Sequence, residues 1–362
     1  MTRSAVFILV SLLACSGPRY LAQTDPQPGC SPLAASSEET PAISWIAAPD
    51  SADRQALDRW CAGVGPEVIL TRNTESSSVD SLAVISWNTH VGGGDIPGLV
   101  RDLRAGKFTD GQPVEHFVLL LQEVYREGAA VPRNPNARAP RRIAASPPDG
   151  KRQDIVAAAK QLELNLYYVP SMANGRSSAN ITPEDRGNAI LSTLPLTDLG
   201  AIELPYEIQR RVVVTASVTG RASSDEPWKL RVMSVHLDHR SRNERLLHSL
   251  GGGRARQARA LVASLDPDQA TVLGGDLNTW SLGALEGAIG VLEQHFPAPA
   301  GYTLQPTFGT ASGLGGMTLD RLMFRLPEPW SAVSRRIDDR YGSDHHPLIG
   351  WVRLVNSSAA SD

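Results

Sequence analysis

Three cysteines among 362 residues are too few for a disulfide scaffold, and the odd number leaves one thiol to explain. Aromatic residues amount to only 6%, and none are grouped as the stacking platform on which single-stranded nucleic acid is held. Excess charge is lacking too: 35 Lys and Arg against 38 Asp and Glu give a net charge of −3. That balance excludes a chain that is basic throughout and leaves the distribution of charge open. No apolar run after residue 14 approaches the roughly 18 residues of a membrane span, and no internal repeat marks a solenoid. What is present is 41% hydrophobic and 20% charged residues, the composition of a globular protein rather than a disordered chain or a coiled coil. The length suffices for one large domain or two ordinary ones.

The N-terminus has its own character. Met1-Thr2-Arg3 precedes an apolar run from Ala5 to Ala14, ended by Cys15-Ser16-Gly17-Pro18. The run is too short for a bilayer core of about 30 Å and has the dimensions of a secretory signal. Leu12-Leu13-Ala14-Cys15 resembles the lipobox of bacterial lipoproteins, whose cysteine becomes the lipidated first residue of the mature chain. A simply cleaved export signal and a buried first helix are the alternatives. The expectation is export, either to the bacterial cell envelope through a lipid anchor on Cys15 or by secretion. With Cys15 lipidated, Cys30 and Cys61 remain as a candidate disulfide pair in an oxidising compartment. The alternative is two unrelated small apolar side chains.

Residues 16–50 are rich in Pro, Ser, Ala and Gln without apolar periodicity and read as a flexible tether. Ser51 to Gly63 has a helical pattern, with Ser51 as N-cap, Leu57, Trp60 and Cys61 on one face, and Gly63 as its stop. Residues 51–80 therefore read as a helical extension before a main domain at 81–356 and a tail at 357–362. In the main domain, apolar runs of strand length recur at Leu82–Trp87, Phe117–Leu121, Ala189–Leu194, Arg211–Val218, Leu230–Leu237, Ala270–Leu273, Leu319–Phe324 and Leu348–Leu354. Helical patterns at Asp154–Leu164, Asn243–Leu265 and Ser281–Phe296 lie between some of them, which predicts a mixed α/β domain.

Polar residues able to bind a metal or move a proton gather at the ends of these strands, where loops carry chemistry on a rigid scaffold. Asn88 follows AVISW, and Glu123 follows LLLQ. His236 and Asp238 close VMSVHLD, while Asp276 and Asn278 follow TVLGG. Asp320 lies in LDRLMF, and Asp344-His345 follows RYGS. Taken singly, GGDLN reads as a turn, Glu123 as a helix cap and His345-His346 as a solvated loop. Taken together, they offer the oxygen donors that a hard cation such as Mg²⁺ takes alongside water and substrate phosphate. The set suits metal-assisted phosphoryl chemistry.

The order WN, QE, RGNAILS, VHLD, GDLN, LDRL, SDH over about residues 82–354 resembles the endonuclease/exonuclease/phosphatase superfamily, the DNase I-like group. That group also includes apurinic endonucleases, sphingomyelinases and inositol polyphosphate phosphatases. The resemblance implies a four-layer α/β sandwich with two central, mainly antiparallel sheets flanked by helices and the site at one edge. It implies that Asn88 and Glu123 hold a divalent ion, Mg²⁺ or Mn²⁺ with Ca²⁺ also compatible, and that Asp344 serves a second metal position or a water on the ion. Asp276 would orient or deprotonate the attacking water, and Asn278 would donate to a phosphate oxygen. His345 would handle a proton or stabilise charge, with Asp320 fixing its tautomer, and His236 would face the phosphate or leaving group. Asn188 would line the cleft, or else make a hydrogen bond inside a strand. Asp238 and His239 have no role in the pattern, and Arg321 stands where the family has an aromatic.

Charge distribution bears on the substrate. From Arg126 to Lys160 the balance is +5, and from Lys229 to Arg259, which includes Arg240, it is +6. Both segments follow motif strands, so they are expected either to rim the cleft and attract polyanions or to decorate a Pro-rich loop and the solvent face of a helix. Anionic phospholipid would be drawn as nucleic acid would. The expected activity is hydrolysis of phosphodiesters by in-line attack of water, nuclease-type and without sequence readout, in a monomer. The alternatives are a phosphomonoesterase or lipid phosphodiesterase, and a non-catalytic surface binding protein on the same fold.

Overall fold

The computed structural model describes residues 20–21, 43–46, 51–72, 78–133, 140–142, 151–175, 182–239, 252–279, 287–297, 305–309 and 316–354. The signal-like segment 1–15 with Cys15, most of the tether with Cys30, Arg240 and the tail lie outside them. The strands are β1 Tyr20–Leu21, β2 Ser44–Ile46, β3 Val68–Leu70, β4 Ser81–Asn88, β5 Phe117–Glu127, β6 Arg141–Arg142, β7 Asn165–Asn174, β8 Glu184–Ser192, β9 Leu196–Glu203, β10 Val212–Arg221, β11 Pro227–His236, β12 Thr271–Asp276, β13 Asp320–Arg325, β14 Ser331–Arg336 and β15 Leu348–Arg353. The helices are α1 Ser51–Cys61, α2 Ile96–Arg104, α3 Ile155–Leu162, α4 Gly252–Val262 and α5 Gly287–Glu293.

One sheet runs β1-β2-β9-β10-β11-β12-β13, and the other runs β14-β15-β4-β5-β8-β7-β3 with β6 against β7. Most neighbours are antiparallel. The parallel pairs are β2–β9, β4–β5, β6–β7 and β11–β12. Strand alternation builds the layers. In β4, Leu82 and Val84 meet Val214, Val232, Val272 and Phe324 of the facing sheet, while Ala83, Ile85 and Trp87 turn the other way onto Leu99, Leu103, Ile155 and Ala159 of α2 and α3. Behind the sheet that holds β11 and β12, Met233, Val235 and Leu273 pack on Ala258, Leu261 and Leu292 of α4 and α5. The order helix, sheet, sheet, helix is the four-layer sandwich expected.

The N-terminal residues are more integrated than their sequence suggests. β2, inside the stretch read as tether, pairs with β9, and β3, inside the stretch read as extension, pairs with β7. In the main domain α2, β6, β7, β9 and β14 have no counterpart among the expected elements. α2 carries Pro97 and Gly98, yet Asp95 caps it by accepting the Gly98 amide at 2.9 Å. β7 is buried at every position and so shows no alternation. β14 is an edge strand of alternating exposure.

GGDLN is not a turn at its glycines, because Gly274 and Gly275 lie in β12. A Cβ on Gly275 would stand 2.0 Å from Val235 O, since the parallel neighbour approaches that closely. Gly275→Ala is therefore expected to destabilise the fold by about 3 kcal/mol or more, as measured by urea unfolding. A loss below about 1 kcal/mol would show that the two strands can separate without penalty.

Candidate active site

Strand register assembles the centre. His236, Asp276 and Asp320 are direct partners across β11, β12 and β13, so three strand ends deliver three side chains side by side. His236 Nε2 lies 3.4 Å from Asp276 Oδ2. From the facing sheet, Asn88 at the end of β4 donates through Nδ2 to Asp276 Oδ2 at 3.0 Å. Asp276 Oδ1 accepts the Asn278 amide at 2.9 Å, and Asn278 Nδ2 donates to Leu237 O at 3.0 Å.

His345 arrives on the loop before β15. Its Nδ1 is 2.8 Å from Asp320 Oδ2, and its Nε2 is 3.9 Å from both Asp276 Oδ2 and Asp344 Oδ1. The loop is fixed by the Trp87 indole donating to His345 O at 3.2 Å and by Ser343 Oγ donating to Asn88 O at 2.7 Å. Phe308 packs on the His345 ring with centroids 4.9 Å apart. Thr307 Oγ1 accepts the amides of Leu319 and Asp320, setting the start of β13. Where the family has an aromatic, Arg321 donates to the carbonyls of Thr318 and Asp320 at 3.0 and 3.1 Å.

Glu123 comes from a break in β5. The β5–β8 register shifts between Leu121 and Val124, and Glu123 has φ of +52°, a left-handed conformation that costs a non-glycine residue on the order of 1 kcal/mol. The bulge turns its carboxylate toward the centre, where Oε2 is 3.3 Å from Arg186 Nη1 and Oε1 is 4.0 Å from His236 Nε2.

The electrostatics divide the groups. Burial pushes Asp276 up to about 7 against the pull of His345. His345 is opposed by burial, yet the charge and hydrogen bond of Asp320, followed by Asp276 and Asp344, raise it to about 10. His236 is driven well below its ordinary value by burial and by the charges of Arg211 and Arg186. Burial would raise Glu123, but Arg186, Arg211, His345 and His90 together hold it below the usual carboxylate value. The centre thus holds one neutral and one protonated imidazole, with an ionised carboxylate at its edge.

These side chains surround a cleft of about 330 Å³. Asn88, Glu123, His236, Asp276, Asn278, Asp344 and His345 all line it, as do His90, Gln209, Arg211, His239 and the apolar Phe308, Met317 and Leu319. Asn188 is not among the lining residues. It donates from β8 to the carbonyls of Val212 and Ser234, joining the two sheets. Asp238 is likewise internal and accepts the amides of Ile208 and Gln209. Cys61 is disulfide-bonded.

Arg186 and Arg211 were missed as site residues. Arg186 stands in the RGNA motif itself, while Arg211 has no local signal beyond starting an apolar run. Several cations of the two basic segments are held internally. Arg126 pairs with Asp185, Arg152 with Glu184, and Arg256 with Asp53 and Glu207, while Arg254 donates to His239 O. Arg138, Arg242 and Arg245 lie outside the described residues.

Ligand atoms of Asp276, Asp320 and His345 lie within 4.8 Å of one another and form a group of metal-binding type. Within that group His345 Nδ1 is hydrogen-bonded to Asp320 Oδ2, and the neighbouring carboxylates raise His345, which favours its protonated form over metal ligation. Glu123 and Asp344 are better suited to a cation, being partly exposed carboxylates beside the Asn88 amide. Oxygen donors of this kind suit a hard divalent cation.

Solved structures share this fold. A structure described as an endonuclease/exonuclease/phosphatase from Beutenbergia cavernae DSM 12333 superimposes with a TM-score of 0.52 at 18% identity, covering 76% of this chain and 72% of that one. Sphingomyelinase C from Streptomyces griseocarneus gives 0.43 at 20% identity over 75% and 98% of the two chains. An AP endonuclease from Archaeoglobus fulgidus gives 0.44 at 14% identity over 74% and 98%. No curated protein sequence matches significantly. The model of the Endonuclease/Exonuclease/phosphatase family matches residues 85–345, which include most strands of the two sheets, though not β1, β2, β3 and β15, and every side chain of the cleft. This chain belongs to the endonuclease/exonuclease/phosphatase family.

Proposed function

We propose that this protein is a divalent-metal-dependent phosphodiesterase that cleaves nucleic acid by in-line attack of water without reading base sequence. The observation that carries the reading is the in-register row His236–Asp276–Asp320, closed by the Asp320–His345 hydrogen bond and faced by Asn88 and Glu123. Asn88, Glu123 and Asp344 would hold the ion, which when bound neutralises charge developing on the phosphoryl oxygens. Asp276, raised to about 7, is matched to accepting a proton from water near neutral pH. His345, protonated and oriented by Asp320, stabilises the negative charge of the transition state, and neutral His236 offers a hydrogen bond on the other side of Asp276.

Two observations favour a polyanion over a membrane lipid. Arg211 lines the cleft and Arg186 pairs with its carboxylate Glu123. Among the described residues, Val333 at 57% is the sole exposed large hydrophobic side chain, so they present no exposed apolar patch of the kind that enters a bilayer.

The test is a panel of plasmid DNA, RNA, sphingomyelin, phosphatidylinositol phosphates and bis-p-nitrophenyl phosphate, each with Mg²⁺, Mn²⁺ or Ca²⁺. The expected result is DNA or RNA cleavage that needs the ion, stops with EDTA and weakens as salt rises. Hydrolysis that survives EDTA would sink the metal-dependent reading. Turnover of sphingomyelin with none of nucleic acid would reassign the enzyme to lipids.

A further inference from the structure

One wall of the cleft comes from the connection between β9 and β10, which supplies Gln209 and Arg211. The Leu204 amide donates to Arg211 O at 3.0 Å and closes this loop at its base. Its residues are tied down from outside. Asp238 Oδ2 accepts the amides of Ile208 and Gln209, both at 2.8 Å. From α4, Gln257 donates to Pro205 O at 2.9 Å, and Arg256 donates to Tyr206 O at 2.5 Å and to Glu207 Oε1 at 2.9 Å.

A further tie comes from α1. Asp53, fully buried, accepts the Tyr206 amide at 2.9 Å and Arg256 Nη1 at 3.2 Å through the same oxygen, Oδ2. Asp53 stands 153 residues before Tyr206 in sequence and outside the family-matched span of 85–345. Arg211 itself is 7% exposed. Its Nε has no hydrogen-bond partner among the described residues, and its Nη2 is no closer than 4.0 Å to Asp238 Oδ1. A guanidinium with unused donors, facing a cleft, is available to an anionic group of the substrate.

We propose that α1 is a buttress of the cleft and that Asp53 is a positioning residue, acting through Tyr206 and Arg256 to hold Arg211 and Gln209 against a phosphate of the substrate. The last step rests on the phosphoester reading above, whereas the fixing of the loop does not. A carboxylate that accepts a backbone amide and a guanidinium together fixes both in direction. Without it, the loop samples arrangements in which Arg211 is misplaced, and binding weakens while the chemistry of Asp276 and His345 is untouched.

The test uses the full chain with Asp53→Ala and the near-isosteric Asp53→Asn. Hydrogen exchange read by mass spectrometry is expected to rise about tenfold or more over residues 204–211 in Asp53→Ala, with β4 and β12 unchanged. On bis-p-nitrophenyl phosphate with Mn²⁺, KM is expected to rise about five- to tenfold with kcat within about twofold. Arg211→Ala raises KM in the same way, and the double variant Asp53→Ala/Arg211→Ala adds nothing further, which independent structural damage would not produce. Unchanged exchange over 204–211 overturns the proposal whether or not the probe is hydrolysed, and so does full additivity of the two substitutions. A wild-type chain inert on the whole phosphoester panel sinks the proposed function instead, and the exchange result still decides the role of Asp53. If Asp53→Ala does not fold, Asp53→Asn carries the same comparisons with a smaller expected change, because one acceptor oxygen remains.

Discussion

Asp276→Asn is expected to lower phosphoester hydrolysis by about 10²–10⁴-fold, the range associated with loss of a positioned proton acceptor, while leaving the protein folded. Asp276 is the hub of the centre. It accepts from Asn88 and from the Asn278 amide, and it lies within 4 Å of both His236 and His345. The substitution keeps the volume and the acceptor for Asn278, but it puts an amide NH₂ where Oδ2 faces the Asn88 amide and two imidazoles. It also removes the basic group. Since burial is what pushes Asp276 up to about 7, deleting the charge relieves a desolvation cost. The melting temperature in EDTA should therefore move by no more than a few degrees. Retention of activity within about tenfold of wild type, at saturating Mg²⁺ or Mn²⁺, would remove Asp276 from the chemistry.

The sandwich was legible because its strands announce themselves twice, as apolar runs and as polar residues at their ends. Asn88, His236, Asp276 and Asp320 each terminate or begin a strand, so a one-dimensional reading already places them near one edge. Glu123 was legible as a motif residue but not as geometry, because nothing in LLLQEV signals a bulge with a left-handed glutamate. Asn188 reads as either a cleft residue or a hydrogen bond inside a strand, and its hydrogen bonds tie the two sheets, with partners Val212 and Ser234 that are 24 and 46 residues away. The same limit explains Arg211 and Asp53. Their roles arise from pairings across the fold, which leave no local pattern. Charge totals along the chain misled for a related reason: Arg126, Arg152 and Arg256 count as basic in a window, yet their acidic partners lie elsewhere in the sequence.

Glu203→Ala is expected to destabilise the fold by about 3–5 kcal/mol, the penalty for leaving one member of a buried ion pair alone. Glu203 and Arg210 both have fully buried side chains, with Arg210 Nε 2.6 Å from Glu203 Oε1. Arg210 Nη1 also donates to Pro170 O at 2.9 Å, so the pair joins the β9–β10 connection to β7 of the other sheet. Nη2 already lacks a hydrogen-bond partner among the described residues, and loss of Glu203 would remove the counter-charge as well. Arg54 of α1 reaches the other oxygen of Glu203 at 3.4 Å. Substituting both members, as Glu203→Met with Arg210→Met, should recover much of the loss, because no buried charge is then left over. Urea unfolding of the three forms measures this, and a single substitution costing below about 1 kcal/mol would mean that water reaches the pair. The pairing also bears on catalysis. Arg210 directly precedes Arg211 in the β9–β10 connection, so holding its guanidinium on Glu203 and on Pro170 O fixes the backbone from which Arg211 reaches the cleft it lines. The double methionine variant, stable but without that anchor, is expected to show a raised KM for phosphodiesters with kcat little changed.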